Sequence, residues 1–241
     1  MMRYPAPFLA GLLALSGLTE AAWAAGRFAP PAGCTAYMTV QSRGCLVSHY
    51  YTCQADPEGH RWRVDLDATG LIYAGRIDAE TQWIESQDIS DGDVVTRFLD
   101  LPAREPASFS ELLSTGRDEY DFTTSGPFVG SRNYKGFDRL TGQSLVVDGQ
   151  SLLETEFGAE VTGSNGQPLW RVEGREYISR DLRIFFGGIS EVITNDGERI
   201  RNDRTPMSFA WPEEDGFLTL RPRYGCDPIM SGLSLDEGAQ G

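Results

Sequence analysis

Side-chain polarity alternates with a period of two along much of this chain, and that period constrains its fold more than any other feature. In "HRWRVDLD", Trp62, Val64 and Leu66 point one way and Arg61, Arg63 and Asp65 the other. In "LWRVEGREYISRDLRIFFGG", Trp170, Val172, Ile178, Leu182, Ile184 and Phe186 share one parity. Arg171, Glu173, Arg175, Asp181 and Arg183 share the opposite one with Tyr177 and Phe185. A two-residue period belongs to β-strands, because successive side chains leave opposite faces of the pleat. Each such strand reads as half-buried, with charged pairs laddered along an outer face. Gly174 is expected to mark a bulge or bend. "LIYAGRI", "ETQWIESQDI", "VVTRFLDL", "EYDFTTS", "SRNYKGFDRL", "QSLVVDG" and "SLLETEFGAEV" supply further strands. Asp148-Gly149, Asn165-Gly166 and Asp196-Gly197 are strong signals for two-residue hairpin turns.

One segment departs from this pattern. In "PASFSELLSTG", Ser108 can cap a helix and Glu111, three residues on, completes a capping box. Leu112 and Leu113 give an apolar side and Gly116 a stop. One short helix is therefore expected near 108–116, placed where it would divide the sheet into two halves. Short connections make neighbouring strands antiparallel. The expected fold is all-β and mainly antiparallel, a strongly curved sheet, half-barrel or barrel of about a dozen strands with that one helix inserted.

"CTAYMTVQSRGCLVSHYYTC" holds three of the four cysteines and one of the two histidines. Cys45, His49 and Cys53 are spaced by four, which would suit a metal site on a helix. Yet "LVSHYYTC" is rich in β-branched and aromatic residues. On a strand, Cys45 and His49 stand about 13 Å apart, too far for one zinc. The chain has no C-x-x-C, so a thioredoxin-like redox site is excluded. Two disulfides remain. A two-residue turn at Arg43-Gly44 sets Ser42 opposite Cys45 and Cys34 opposite Cys53. That register pairs Cys34 with Cys53 and leaves Cys45 for Cys226, pinning the C-terminal region to the first hairpin. The alternative joins Cys34 to Cys226 and Cys45 to Cys53. It requires residues 45–53 not to be one extended strand, which would hold its ends about 26 Å apart.

Disulfides imply an oxidising compartment, and the start of the chain agrees. Arg3, the apolar run "FLAGLLALSGL" and the small residues of "TEAAWAAG" read as a signal peptide over residues 1–24. Ala22 and Ala24 occupy the −3 and −1 positions, so cleavage is expected after Ala24. The run is shorter than the ~20 apolar residues that cross a bilayer. No later segment qualifies, so no transmembrane segment is expected in the mature chain. "PAGC" at 31–34 places Pro31 where a lipobox needs a Leu-like residue. The mature protein is expected in the periplasm or secreted, with one β-rich domain over 25–229 and a disordered tail over 230–241.

The net charge of −14 argues against nucleic acid and anionic headgroups as partners, since both attract Lys and Arg clusters. Catalytic signals are equally sparse. G-x-S-x-G and the α/β framework of a serine hydrolase are missing. His49 shares a strand face with Tyr51 and reads as packing; His60 follows the turn "DPEG" and reads as solvated. The acidic pairs Asp118 with Glu119 and Glu154 with Glu156, and the run Glu213 to Asp215, are expected by chance in so acidic a chain. Glycosidase chemistry would need two carboxyls ~5–9 Å apart in a cleft. "DLDATG" opens like a calcium loop, but Arg76 stands at its twelfth position and both flanks read as strands. No catalytic, metal-ligating or cofactor-binding residue is assigned. The assigned site residues are the half-cystines Cys34, Cys53, Cys45 and Cys226.

Trp62, Trp83, Trp170 and Trp211, with many Tyr and Phe residues, remain. Their commoner role is to fill a core; in a curved sheet they can instead line a cavity for an apolar ligand. The architecture is similar in outline to periplasmic half-barrels and barrels that carry lipids or lipoproteins, an analogy of fold alone. The leading functional reading is a non-enzymatic exported β-protein that binds an apolar or amphipathic ligand, such as a lipid, in its concave face, without a cofactor. The alternatives are an envelope scaffold with a solid core that engages another envelope protein, and a carboxylate-based hydrolase.

Overall fold

The structure is a computed structural model that describes residues 26–226. The expected signal peptide, its cleavage point and the expected tail lie outside the described residues. In chain order the elements are β1 (Cys34–Ser42), β2 (Leu46–Cys53), β3 (Arg61–Asp67), β4 (Gly70–Ile77), β5 (Trp83–Ser90), β6 (Asp93–Leu99) and α1 (Phe109–Thr115). There follow β7 (Arg117–Gly126), β8 (Val129–Val147), β9 (Gln150–Gly163), β10 (Pro168–Ser179), β11 (Ile184–Phe186), β12 (Ile189–Thr194), β13 (Arg199–Asp203) and β14 (Pro206–Ala210). The strands form one antiparallel sheet ordered β13-β12-β10-β9-β8-β7-β6-β5-β4-β3-β2-β1-β14, with β11 folded back onto β10. The all-β, mainly antiparallel and curved fold expected from the alternation is the one the chain adopts, with fourteen strands.

Hydrogen bonding does not close this sheet. Its two edges, β13 and β14, are nonetheless consecutive in the chain and separated only by Arg204 and Thr205. A sheet whose extremes are joined by two residues has to curl until its edges meet. Arg43 N–H donates to Thr205 O at 3.0 Å, Arg204 N–H to Gly188 O at 2.8 Å, and the Arg43 guanidinium lies 3.7 Å from the Asp203 carboxylate. Phe209 N–H on the β14 edge ends on the Asp148 carboxylate, 2.9 Å away in the turn between β8 and β9. Met38, Val40, Tyr50, Leu152, Phe186 and Phe209 pack together across this seam.

The helix forms as its caps require. Ser108 Oγ accepts from Glu111 N–H at 3.1 Å, and Gly116 takes a left-handed φ of 84° while its N–H donates to Leu112 O. Phe109 and Leu112 are buried against Ile178, flanked by Leu140, Leu153 and Phe185. The insertion does not divide the sheet, because β6 and β7 still pair through Phe98–Ser125 and Leu99–Thr124.

Other readings are corrected in detail. The regular run from 169 to 188 is not one strand: it reverses after Ser179, where Arg183 N–H returns to Ser179 O, and Tyr177 then pairs with Phe186. Gly174 is no bulge. It pairs in register with Phe157 and Ser190, and a Cβ there would meet Ile189 O at 2.5 Å, so glycine serves close backbone approach. "SRNYKGFDRL" and "QSLVVDG" belong to one strand, β8, interrupted by a register shift between Leu140 and Ser144. The half-buried reading of "HRWRVDLD" also fails, because Asp65 on its charged parity is 2% exposed.

The first hairpin is built differently from expectation. Its turn is one residue longer, so Ser42 faces Leu46 and Cys45 sits in the turn with a positive φ of 57°. A register shift between Ala36 and Met38 takes that residue back, and Cys34 again faces Cys53. Cys34 is bonded to Cys53 and Cys45 to Cys226. The two ends of the described chain lie across the outer face of β1 to β4. Phe28 N–H donates to Leu218 O (2.7 Å), Leu218 N–H to Thr39 Oγ1 (2.9 Å), and Gln41 holds both Arg221 O and Arg223 N–H. Phe28 and Leu220 thereby cover Val47, Tyr51, Val64, Leu66 and Ala74.

Non-reducing peptide mapping should recover residues 34 and 53 in one linked peptide pair and 45 and 226 in another. The Cys45–Cys226 bond spans 181 residues. Replacing both with Ser should lower unfolding stability by about 2–5 kcal/mol in a denaturant titration. Leu112→Ala should lower it by a similar ~2–5 kcal/mol, because the helix covers the sheet through that side chain.

Candidate functional site

The curl leaves a cavity of about 650 Å³ between its walls, a volume typical of small-molecule sites. One wall is aromatic. Tyr134 stacks on Phe122 with centroids 5.2 Å apart, while Trp83 and Trp170 meet Tyr134 edge-on at 5.3 and 6.2 Å. Trp83 contacts two of these rings, lines the cavity and is still 47% exposed. The aromatics are therefore not simply core filling, although Trp211 does pack against the core cluster.

The rest of the lining is charged. Arg61, Arg63 and Asp65, expected on an outer face, point into the cavity. The inversion has a physical cause. The terminal segments cover the apolar parity of β3 from outside, which turns its polar parity inward. Asp65 accepts from Ser48 Oγ at 2.7 Å and lies 3.2 Å from Arg63 Nε, and the Arg63 guanidinium rests 4.9 Å over the Tyr73 ring. Arg63 is surrounded by protein yet keeps 36% of its side-chain surface accessible, as a group facing an internal void does. Asp65 holds it in the charged form despite that burial.

Three carboxyls gather on β7, β8 and β10 near α1. Asp118 on β7 faces Asp138 on β8 in register, and Asp138 is hydrogen-bonded to Glu176 on β10. Desolvation and the neighbouring Asp118 push the Asp138 pKa up to about 7, and desolvation with Asp138 raises Glu176 well above the usual range. Two carboxyls in hydrogen-bond contact cannot both ionise, so the pair shares a proton and presents a donor beside an acceptor. Burial also raises Asp118 to about 6, against the pull of Ser108 N–H, which donates to it at 3.0 Å. The acidic pairs noted in the sequence are not brought together in this way. Glu119 pairs with Arg117, Glu156 with Arg139, Glu154 lies near Arg175, and Glu213 to Asp215 are exposed.

Sequence reasoning missed Asp138 and Glu176, although a signal exists. Each is a carboxylate on the apolar parity of its strand: Asp138 with Tyr134, Glu176 with Trp170, Val172 and Ile178. The same holds for Asp118 with Tyr120 and Phe122.

The remaining candidates have structural roles. His49 is fully buried beneath Phe28, ring centroids 4.7 Å apart, and bonds Thr39 Oγ1 at 3.0 Å through Nδ1. Desolvation lowers its pKa to about 4, opposed by the Thr219 backbone. The Asp67 carboxylate of "DLDATG" is occupied by Thr69 and Gly70 in the β3–β4 turn. Among the described residues no three His, Cys, Asp or Glu side chains are placed so that they could hold one metal ion.

These groups give stability two opposed pH dependences. His49 has a lowered folded pKa, so its contribution is complete above ~6.5 and is lost as pH falls through about 4. The carboxyl pair has raised values, so its contribution is complete below ~4 and is lost as pH rises through about 7. The two windows overlap and oppose each other, so Glu176→Gln should make stability rise more steeply with pH between about 4 and 7, by up to ~1.4 kcal/mol per pH unit. His49→Gln should make stability fall as pH rises over the same window, as read from melting temperature between pH 3.5 and 8.

No family model matches this chain, and neither does any curated protein. A solved structure that aligns is a Bacteroides fragilis NCTC 9343 protein proposed to be exported and having a YmcC-like fold. It covers 77% of this chain and 99% of its own, at 9% identity and a TM-score of 0.26, a likeness too slight to carry an argument. Among the described residues no helix is long and apolar enough to cross a membrane.

Proposed function

We propose that this is an exported, non-enzymatic β-protein that holds an amphipathic small molecule inside its curled sheet. The cavity carries this reading, being sized for a ligand and lined by aromatic rings on one wall and charged groups on the others. A scaffold with a solid core has no use for inward-facing charges, which burial disfavours. A carboxylate hydrolase is supported less, because Asp138 and Glu176 touch each other where glycosidases keep their two carboxyls ~5–9 Å apart.

Two disulfides suit an oxidising compartment. They support the periplasmic or secreted location, as does the signal peptide read over 1–24 with cleavage after Ala24. A single domain over 25–229 accords with one sheet spanning the described residues.

The test is a titration with N-phenyl-1-naphthylamine, whose fluorescence rises in apolar surroundings. One probe should bind per chain. Ala159→Trp, which fills the cavity from β9, should weaken binding about tenfold or more, equivalent to ~1.4 kcal/mol. Circular dichroism should meanwhile show an unchanged β-spectrum. Failure of the probe to bind, or binding indifferent to Ala159→Trp, overturns the reading.

A further inference from the structure

Part of the cavity wall carries positive charge without an ion-pair partner. Arg97 on β6, Thr124 on β7 and Arg132 on β8 stand on neighbouring strands and all face inward. Thr124 is directly opposite Arg132, and Arg97 lies two residues before Leu99, the β6 partner of Thr124. Arg97 is only 5% exposed. It makes one hydrogen bond, from Nη1 to Gly130 O at 2.9 Å, and its Nε has none. The Thr124 hydroxyl, on a residue 3% exposed, is also unpartnered.

Among the described residues, neither arginine forms an ion pair. Asp88, a carboxylate that lines the same cavity, acts on Arg97 without bonding it, and Arg132 acts on Arg97 as a like charge. The contrast is with Arg63, whose guanidinium lies 3.2 Å from the Asp65 carboxylate. Like charges side by side, one buried and one half-buried, with no bonded counter-charge are disfavoured. An oxyanion would satisfy both guanidinium forks and the free hydroxyl at once.

We propose that Arg97, Arg132 and Thr124 form the head-group subsite for a carboxylate or phosphate carried by a single-chain amphiphile. This inference rests on the cavity reading above and names its ligand class. Tyr134 follows Arg132 by two residues on the same face of β8, so the aromatic wall begins where the subsite ends. From Arg132 to Asp138 the strand runs about 20 Å, enough to lay out an extended chain. The Asp138–Glu176 pair at the far end repels a second anion, which fixes the direction in which the guest lies.

The experiment is isothermal calorimetry of the mature protein with dodecanoate, dodecyl phosphate, dodecanol and inorganic phosphate, each below its micelle concentration. The two anionic amphiphiles should bind roughly tenfold to a hundredfold more tightly than dodecanol, as charge-assisted hydrogen bonds imply. Arg97→Gln and Arg132→Gln should each remove most of that preference and leave dodecanol binding unchanged. Arg132 is half-buried, so its variant keeps the test open should Arg97→Gln fail to fold. Equal affinity for all three amphiphiles, or a preference that survives both substitutions, overturns the subsite alone. Inorganic phosphate binding as tightly as dodecyl phosphate makes this a free-anion site and overturns the head-group role. Binding of no amphiphile overturns the cavity reading and takes the subsite with it.

Discussion

A charge cannot sit in a dry apolar core without a partner, and this chain turns Arg63, Asp65, Arg97, Arg132, Asp138 and Glu176 toward the centre of its sheet. The remainder of the architecture follows from that constraint. The sheet curls around a volume and does not collapse on itself, and its apolar positions on β3 and β4 must find cover elsewhere. The cover is supplied by the first and last described segments, which carry Phe28 and Leu220 over the outside of the first four strands. Both disulfides act in this region. Cys34–Cys53 ties β1 to β2, and Cys45–Cys226 holds the returning C-terminal segment against the first turn.

The alternation of polarity was enough to read the fold class, the antiparallel neighbours and the position of the helix. A period of two says that a strand has two unlike faces; it does not say which one lies inside. For β10 the apolar parity faces the cavity, whereas for β3 the charged parity does. The difference is made by residues 26–33 and 217–224, far from β3 in sequence, and no local pattern records it. The register of the first hairpin shows the same limit. The longer turn and the shift beside Tyr37 are two irregularities that cancel, so Cys34 meets Cys53 by a route that residue counting does not describe.

The site was less legible than the fold. Carboxylates on apolar parities at Asp118, Asp138 and Glu176 were visible as local inconsistencies, and such inconsistencies tend to mark functional positions. Arg97, on the parity of Val95 and Leu99, and Arg132, on that of Tyr134, carried the same mark. Their isolation from carboxylates emerges only when β6, β7 and β8 are laid side by side.

The meeting of the sheet's two margins also bears on how the molecule behaves among its own copies. Unpaired strand edges are templates for intermolecular zippering, and both margins here are five residues long. One bears Arg199, Arg201 and Asp203; the other begins at Pro206 and has already given its Phe209 amide to Asp148. A sheet that curls until two such short margins meet thus leaves little unpaired rim for strand addition.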